Sequence, residues 1–377
     1  MTAKILDVAA VRRALAVRDL TDESAGPHAM QQLVRDAVDA LRAAWGCEVV
    51  LERQSPIVSV ADNYDRLHYP PDGAARAARY TRYVCETALL RTQTSAMVPS
   101  LLRRIAAAPP EDVLLVCPGV VYRRDSIDRL HSAEPHQLDL WRVTRTRELG
   151  AEDLRAMLVA VVTALLPGRE LRTQAAEHPY TLQGMQIDVR HGADWVEIGE
   201  CGLALPALLR ESGHPAPATG LAMGLGLDRV LMLRKGVDDI RLLRSTDPRI
   251  ASQMLDLSDY RPVSSMPAVV RDLSLVVSDG ADPEQLGDAV RAALGERSHV
   301  VESIEVRAET SYLSLPAAAV QRLRLRPGQK NALLRVVLRA LDRSLTHAEC
   351  NVLRDEIYAA LHEGEVWEWA GAPLRTG

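Results

Sequence analysis

The amino-acid sequence predicts an α+β fold in two domains, and three observations lead to that prediction. The chain has 377 residues with 47% hydrophobic content, enough to bury more than one core. Short β-rich runs follow one another without the regular strand–helix alternation of a doubly wound parallel sheet. A segment rich in serine and proline, SDYRPVSSMP at 258–267, lacks periodicity and is typical of a domain boundary.

The first domain is expected to begin with an amphipathic helix over residues 28–45. Apolar residues recur there at helical spacing, and Gly46 stands where a helix would end. Four β-rich runs follow along the chain: CEVVL, DVLLVCPGVVY, GMQIDV and DWVEIG. Helix-like segments at 101–107 and 151–166 separate these runs. The pattern predicts a sheet with helices beside it.

The segment after the boundary predicts a small α/β sandwich. It contains, in order, a strand RDLSLVV, a helix at 283–294, a strand VVESIEV, a segment broken by proline and glycine, a strand ALLRVVLRAL and a helix at 346–362. We expect domains at 28–258 and 267–370, joined by a linker at 259–266. An N-terminal extension at 1–27 and a frayed tail at 371–377 complete the expected organisation.

Composition and charge argue against several classes of protein. The net charge of −5 provides no overall basic field, so a nucleic acid would have to bind a local patch. The five cysteines never form a C-x-x-C pair, which argues against a disulfide framework and a tetrahedral zinc site. The N-terminus has no continuous apolar leader, and no segment approaches the roughly 20 apolar residues of a membrane span. We expect a soluble, cytoplasmic protein without membrane association.

The most informative segment is GLAMGLGLDRVLML at 220–233. Its glycines would allow a strand and a helix to pack against a flat ligand, while Arg229 presents a bidentate cation to that ligand. A glycine-lined helix contact beside a solvated arginine explains the same residues equally well. The segment therefore needs support from elsewhere in the chain.

A second segment, CPGVVYRRDSIDRLHSAEPHQLD at 117–139, predicts two strands joined by a polar loop. On the returning strand Gln137 and Asp139 are two residues apart and therefore point to the same face. An amide oxygen beside a carboxylate suits a primary ammonium group, which has three donors and one positive charge. A polar hairpin on the protein surface is the alternative interpretation.

With a third segment, LLRTQTSAM at 89–97, these motifs resemble class II aminoacyl-tRNA synthetases, most closely the catalytic subunit of phenylalanyl-tRNA synthetase. NYDRLHYPPD, LLRTQTS, VYRRD with HSAEPHQLD, WVEIGECG and GLAMGLGLDR occur in the family's order and with similar spacing. RDLSLVV and LDRSLTHAECN are similar to the ferredoxin-fold anticodon-binding domain of that family. The resemblance implies one chain that carries an antiparallel catalytic sheet flanked by helices and then a ferredoxin-like domain.

The resemblance implies ATP-dependent charging of phenylalanine tRNA through an aminoacyl-adenylate, with ATP and Mg²⁺ required. Arg123 would hold the α-phosphate of ATP and Arg229 its distal phosphates, so these two arginines would be the catalytic residues. The ATP-binding set would further include Asp125, His131, Glu197 and Gly226, with Glu197 as the acid for a metal or ribose contact. We expect no editing domain, and either a monomer or a homodimer.

The amino-acid substrate would be phenylalanine or a related aromatic amino acid. Its binding residues, by resemblance, are Gln93, Ser95, Gln137, Asp139, His178, Tyr180 and Ala222, the last three of which would line the ring. The tRNA would bind basic residues of the C-terminal domain: Arg322, Arg324, Arg326, Lys330, Arg335 and Arg339. A strand with solvated arginines, read from RLRLR at 322–326, is the alternative explanation of that basic run.

Inside the expected pocket the chain departs from the family pattern at several positions. Two ring-stacking phenylalanines of the family are His178 and Tyr180 here, and a glycine is Glu200. A histidine of the family is replaced by Gln93, and the glutamate beside the amino group is shortened to Asp139. These changes leave the amino-acid specificity open, because a buried polar group can reject a substrate or demand a partner on it.

Phenylalanine is absent from the whole chain, although average composition would supply on the order of a dozen. We hypothesise that its avoidance lets the protein be translated when charged phenylalanine tRNA is scarce, as a spare or resistance copy would need. Drift in a GC-rich genome with recoding is the alternative. Two other functions stay open: an enzyme that adenylates an aromatic amino acid or analogue for a carrier protein or biosynthetic pathway, and an inactive paralogue that senses tRNA or an amino acid.

Overall fold

The computed structural model describes residues 5–77, 80–263 and 266–366. Residues 264–265 of the expected linker and the whole of the expected tail lie outside these ranges. The chain divides into two compact units. The first comprises Met1–Arg123, Glu134–Leu243 and Ala251–Arg261, and the second comprises Arg124–Ala133, Arg244–Ile250 and Pro262–Gly377.

The elements are as follows. The α-helices are α1 (Val8–Leu15), α2 (Ala29–Trp45), α3 (Val60–Asn63), α4 (Val98–Ile105), α5 (Ala151–Leu165), α6 (Pro206–Glu211), α7 (Leu227–Lys235), α8 (Pro248–Ala251), α9 (Pro283–Leu294), α10 (Ala317–Leu323) and α11 (His347–Leu361). The strands are β1 (Glu48–Leu51), β2 (Ile57–Ser59), β3 (Tyr83–Cys85), β4 (Ala88–Leu90), β5 (Asp112–Val120), β6 (His136–Thr144), β7 (Leu171–Ala175), β8 (Thr181–His191), β9 (Asp194–Ala204), β10 (Thr219–Gly226), β11 (Val269–Ser278), β12 (Val301–Ser311) and β13 (Gln329–Leu338).

Helix α2 has the boundaries that its sequence predicts. The His28 ring caps its start by accepting the backbone N–H of Met30, and Gly46 ends it in the left-handed conformation with φ of 63°. Glycine adopts that conformation without the steric cost that a Cβ would add. The helix buries one apolar face, which includes Met30, Leu33 and Leu41.

A seven-stranded sheet dominates the first unit, with the strand order β1-β5-β6-β10-β9-β8-β7. Strand β1 runs parallel to β5, and every other neighbouring pair is antiparallel. Helices α2 and α5 pack against each other beside this sheet. The four β-rich runs and both helix-like segments of the sequence lie in these elements, so the α+β prediction is confirmed.

The second unit contains the predicted order of strand, helix, two strands and helix. Its sheet has the order β11-β13-β12, with both pairs antiparallel. Apolar residues of α9 and α11, including Val290 and Ile357, share one core with the strands. The alternative interpretation of RLRLR at 322–326 as a strand is wrong, because α10 extends through Leu323 and Arg324 turns the chain with φ of 47°.

Residues 124–133 belong to the second unit although they connect β5 and β6 of the first. Ile127 is buried in the core of the second unit, and its carbonyl accepts a hydrogen bond of 2.9 Å from the Ile304 N–H. The Arg291 guanidinium donates to the carbonyl oxygens of Asp125 and Ser126. A side chain at Gly287 would meet the Asp125 carbonyl oxygen at 2.8 Å, so this close approach requires glycine.

Candidate active site

Strand β10 forms a floor of small residues on one face of the large sheet. Strand side chains alternate between faces, so Gly220, Ala222, Gly224 and Gly226 share one face. The intervening Leu221, Met223 and Leu225 point to the opposite face and are buried. The alternation of small and large residues therefore produces a flat strip in the middle of the sheet.

Functional side chains rise on both sides of this floor because of the strand register. Gly224 lies opposite Asp139 of β6 on one side and opposite Glu200 of β9 on the other. One step along, Ala222 lies opposite Trp141 of β6 in the same way. Directly paired residues of antiparallel strands project to the same face. The register thus sets Asp139 and Glu200 on opposite margins of one strip.

The glycines of the floor differ in why they are needed. A Cβ at Gly220 would meet the Arg142 carbonyl oxygen at 2.7 Å, so packing within the protein excludes a side chain there. At Gly224 the nearest atom would be an Asp139 carboxylate oxygen at 3.7 Å, and at Gly226 the Ile198 carbonyl oxygen at 3.8 Å, both ordinary contacts. The protein itself therefore tolerates a methyl group at Gly224, which is only partly buried.

This difference predicts opposite outcomes for two alanine substitutions. Gly224→Ala is expected to leave the melting temperature unchanged or to raise it, because alanine loses less backbone entropy than glycine on folding. Its methyl group is expected to displace the substrate and so to lower kcat/KM for adenylate formation by about 100-fold. Gly220→Ala is expected to lower the free energy of unfolding by about 1–3 kcal/mol because the chain must move. Thermal melting and pyrophosphate exchange on both variants check this; full activity of Gly224→Ala would contradict an open strip for substrate.

Asp139 sits in a dense hydrogen-bond network at the margin of the floor. Its side chain accepts hydrogen bonds from Thr94 Oγ1 at 2.7 Å, Ser95 Oγ at 2.9 Å and Trp141 Nε1 at 3.1 Å. Burial nevertheless raises the pKa of Asp139, although these donors oppose the shift. The structure thus brings three residues predicted to bind the amino-acid substrate, Ser95, Gln137 and Asp139, into one place around Thr94 and Ser95.

Gln137 and Gln93 are both held by neighbours. The amide oxygen of Gln137 accepts a hydrogen bond of 3.2 Å from the Thr94 N–H. The amide oxygen of Gln93 accepts a hydrogen bond of 2.9 Å from the hydroxyl of Tyr69, and its nitrogen donates to the Asn63 carbonyl oxygen at 3.1 Å. Both amides are therefore fixed in orientation beside the strip.

An aromatic group lines the site beyond the residues that the sequence predicted. The Tyr180 ring stacks on the Trp141 ring, with centroids 5.9 Å apart, and lies 6.1 Å from the Tyr69 ring. Burial raises the pKa of Tyr69 to about 12, so its hydroxyl stays protonated and keeps its hydrogen bond to Gln93. Sequence reasoning missed Tyr69 and Trp141 as lining residues. The quoted NYDRLHYPPD segment contains Tyr69, and Trp141 is two residues beyond Asp139, on the same face.

Two positions at which the chain departs from the family pattern contact each other. His178 Nε2 forms an ion pair with the Glu200 carboxylate. The hydrogen bond to Glu200 raises the pKa of His178, although partial burial opposes the shift. The His178 ring centroid is 5.8 Å from that of Tyr180, so the pair borders the aromatic group. No local pattern in the sequence indicates that these two residues meet.

The two predicted catalytic arginines both act on Glu197. The Nε of Arg123 donates to the Thr92 carbonyl oxygen at 2.8 Å, and Arg229 donates to the Glu197 carbonyl oxygen at 3.2 Å. Burial raises the pKa of Glu197, while the positive charges of Arg229 and Arg123 oppose that shift. Both guanidinium groups therefore interact electrostatically with the Glu197 carboxylate, as expected if they converge on one region of the sheet.

A buried pair that the sequence analysis missed fixes two of these segments. His136, the first residue of β6, donates its backbone N–H to the Asp228 carboxylate, and its ring contacts the same carboxylate at 3.1 Å. The ring Nε2 accepts the Leu20 N–H at 3.0 Å. Because Asp228 precedes Arg229 and His136 precedes Gln137, the pair positions two site residues at once. In the sequence, the position of His136 and Asp228 next to predicted site residues is the feature that could have identified them.

Asp125 and His131, predicted for the nucleotide, both belong to the second unit. His131 Nδ1 lies 2.7 Å from an Asp128 carboxylate oxygen. The pKa of Asp128 is lowered, because the hydrogen bonds from His131 and neighbouring backbone outweigh its burial. The roles of Asp125 and His131 in ATP binding stay predictions.

Several basic residues predicted to bind RNA already have acidic partners within the second unit. Lys330 is 9% exposed and pairs with Glu309 at 2.8 Å, and Arg335 forms a bidentate pair with Asp272. Arg339 pairs with Glu302 and Arg326 with Glu365. A phosphate group of RNA would have to compete with these carboxylates for the basic side chains. RNA binding by this domain stays a prediction, and its more exposed basic residues are the better candidates for it.

Within residues 5–77, 80–263 and 266–366, no cluster of three or more histidine, cysteine, aspartate or glutamate side chains is arranged to hold a metal ion. Mg²⁺ commonly takes only one or two protein carboxylates and fills its other positions with water and substrate phosphates. The Glu197 side chain, 44% exposed beside Arg229, fits that limited role. In the same part of the chain, no helix combines the length and the apolar character that a membrane span needs.

Comparison with known proteins agrees with this geometry. Residues 17–254 match the family described as tRNA synthetases class II core domain (F). The phenylalanine–tRNA ligase alpha subunit of Prochlorococcus marinus (strain NATL2A) is 36% identical over 192 residues, which are 51% of this chain and 56% of that protein. The chain thus spans little more than half the length of that relative.

Two further proteins extend the comparison. The chloroplastic/mitochondrial phenylalanine–tRNA ligase of Arabidopsis thaliana is 29% identical over 329 residues, 82% of this chain and 71% of that protein. The solved structure of PylSc from Desulfitobacterium hafniense, a pyrrolysyl tRNA synthetase, aligns with 58% of this chain and 73% of its own at 19% identity and a TM-score of 0.44. Because the family match covers more than half of the chain and includes β1 through α7, the protein belongs to the family of class II tRNA synthetase core domains.

Proposed function

We propose that this protein charges phenylalanine tRNA in an ATP-dependent reaction that passes through an aminoacyl-adenylate. The observation that carries the proposal is the strip of small residues on β10, with Asp139 and Glu200 on its opposite margins, together with two arginines whose positive charges both act on Glu197. The named relatives from Prochlorococcus and Arabidopsis are phenylalanine–tRNA ligases, which supports this substrate. The proposed catalytic domain is 28–258, in the cytoplasm, as a monomer or a homodimer.

In the first step the amino acid binds with its ammonium group at Asp139. An oxygen of its carboxylate forms a bond to the α-phosphorus of ATP, and the bond from that phosphorus to the bridging oxygen breaks. The electron pair leaves with pyrophosphate. Negative charge grows on phosphate oxygens during this exchange, and Arg123 and Arg229 are the preorganised cations that stabilise it. No side chain needs to act as a nucleophile.

A bound Mg²⁺ would supply further positive charge on the phosphates, and Glu197 is the residue that would hold it. Glu197 itself keeps Arg229 oriented through both its carbonyl and its carboxylate. In the second step a ribose hydroxyl at the 3′ end of tRNA attacks the carbonyl carbon of the adenylate; AMP leaves and the hydroxyl proton is released. That step depends mainly on positioning of the hydroxyl.

The second unit is proposed to be a ferredoxin-like anticodon-binding domain over 267–370. Its antiparallel order β11-β13-β12 with α9 and α11 on the sheet supports this assignment. The alignment with the Arabidopsis relative covers 82% of the chain and so extends beyond residues 17–254. A layout with catalytic and tRNA-binding parts on one chain follows from this proposal.

Pyrophosphate exchange followed by charging of total tRNA tests the proposed function. We expect ATP–pyrophosphate exchange that depends on an aromatic amino acid, and transfer of that amino acid to tRNA. Exchange without transfer would replace the proposal with an adenylate-forming enzyme that serves a carrier protein or a biosynthetic pathway. Neither activity would point to an inactive sensor of tRNA or an amino acid.

The absence of phenylalanine from the chain is proposed to reflect a spare or resistance copy. Ribosomes can then complete this protein when charged phenylalanine tRNA is depleted. Phenylalanine starvation of the native host is expected to stop synthesis of phenylalanine-containing control proteins while synthesis of this protein continues. Pulse labelling measures both rates, and an equal arrest of both would refute the proposal.

A further inference from the structure

The pair formed by His178 and Glu200 bears on which amino acid the site accepts, an inference that rests on the proposed function. By resemblance, these positions hold a ring-stacking phenylalanine and a glycine in the family. Here a basic and an acidic side chain replace them, and the two are bonded to each other. Either change alone would leave a polar group without a partner beside the aromatic rings, which is costly. Together they form a bonded polar pair.

The strand register places this pair at the far margin of the strip from the ammonium site. Asp139 and Glu200 flank Gly224 on adjacent strands, so their Cα atoms are two strand spacings apart, about 9–10 Å. Both side chains rise from the same face, on either side of the partly exposed Gly224. An aromatic amino acid with its ammonium group at Asp139 spans that separation.

The pair keeps unused hydrogen-bonding capacity. The His178 imidazole has two nitrogens, of which Nε2 bonds to Glu200, and a carboxylate has more acceptor positions than one contact occupies. The His178 side chain is 17% exposed and that of Glu200 is 39% exposed, so both remain accessible. A phenyl ring placed against them would desolvate these groups and offer nothing in return.

The hydrogen-bonding groups of the pair indicate which substituent on the substrate matches it. His178 and Glu200 are already bonded to each other, so neither is an isolated charge for a second ammonium or a second carboxylate on the substrate. A hydroxyl group matches both members, because it donates to a carboxylate oxygen and can donate to or accept from the second imidazole nitrogen. We infer that the amino-acid pocket selects a hydroxyl-bearing aromatic amino acid over phenylalanine through His178 and Glu200.

The size of this preference for a hydroxylated substrate can be estimated from other sites that recognise a polar group. A site built to hydrogen-bond a substrate hydroxyl can reject the analogue that lacks it by about 10⁴-fold, because the polar groups of the site are then left unpaired. One partly exposed pair provides less, and we expect a preference of about 10- to 100-fold in kcat/KM. The hydroxyl group could be on the aromatic ring or on Cβ of the amino acid. Both kinds of substrate offer the same hydrogen-bonding group, so they must be tested separately.

The test is ATP–pyrophosphate exchange by the full chain with phenylalanine, its three ring-hydroxylated isomers and β-hydroxyphenylalanine. One of the hydroxylated amino acids is expected to exceed phenylalanine in kcat/KM. The double variant His178→Phe with Glu200→Gly, which restores the family residues, is expected to reverse that preference. Glu177→Gln, at the exposed neighbour of His178, is the matched control and is expected to retain the wild-type order.

The outcomes separate this inference from the proposed function. Exchange with phenylalanine above all hydroxylated amino acids, in both wild type and double variant, overturns the inference and leaves the proposed function intact. Exchange with none of the amino acids removes the proposed function as well as the inference. If melting shows that the double variant does not fold, the single variants Glu200→Gln and His178→Asn, which keep polar side chains, replace it. Each is expected to reduce the preference for the hydroxylated amino acid. An unchanged preference in both overturns the inference.

Discussion

Replacement of Arg229 by alanine is expected to lower kcat/KM for adenylate formation by about 1,000-fold, with a nearly unchanged melting temperature. The guanidinium lies beside the strip, 27% exposed, and donates to the Glu197 carbonyl oxygen at 3.2 Å. Its loss removes a preorganised cation from the charge that develops on the phosphates. Arg229→Lys keeps the charge but loses the bidentate geometry, so it is expected to recover only a small part of the activity.

Arg147→Ala is the matched control for this experiment. Arg147 forms an exposed pair with Asp153 in the same unit, and such surface pairs contribute about 0–1 kcal/mol. Both exchange activity and melting temperature are expected to stay near those of the wild type. If Arg229→Ala retained full exchange activity, or lost activity only in step with unfolding, the assignment of Arg229 to the phosphates would be wrong.

Replacement of Asp139 by asparagine is expected to separate activity from stability. Without the carboxylate the substrate ammonium loses its counter-charge, and kcat/KM is expected to fall by about 100- to 1,000-fold, mainly through KM. Burial raises the pKa of Asp139, so its ionised form costs folding free energy at neutral pH. The neutral variant is therefore expected to melt at the same temperature or higher, and its advantage should shrink as falling pH protonates Asp139 in the wild type.

Asp112→Asn provides the control with the opposite signature. Asp112 pairs with the nearly buried Arg142 at 2.6 Å, away from the strip over β10. Removal of that carboxylate leaves a charge without its partner, so the melting temperature should fall while exchange activity per folded molecule is retained. Exchange and thermal melting measure both variants. Loss of activity in Asp112→Asn, or full activity in Asp139→Asn, would show that Asp139 does not hold the ammonium group.

The amino-acid sequence by itself determined the elements whose signals are local. The helical spacing and Gly46 defined α2, and the glycines of GLAMGLGLDR indicated a strand followed by a helix, which are β10 and α7. The spacing of Gln137 and Asp139 placed both on one face of β6. Each of these features depends on the 3.6- or 2-residue periodicity of one segment, so no distant contact was needed to recognise it.

Only the tertiary structure decided which distant residues meet. The register of β10 with β6 and β9 brought Asp139 and Glu200 to the same strip, and packing brought His178 to Glu200. Folding also assigned residues 124–133 to the second unit. The physical reason is that strand register and side-chain packing depend on contacts between residues far apart in the chain, whereas the periodicity of each segment fixes only which face its own side chains occupy.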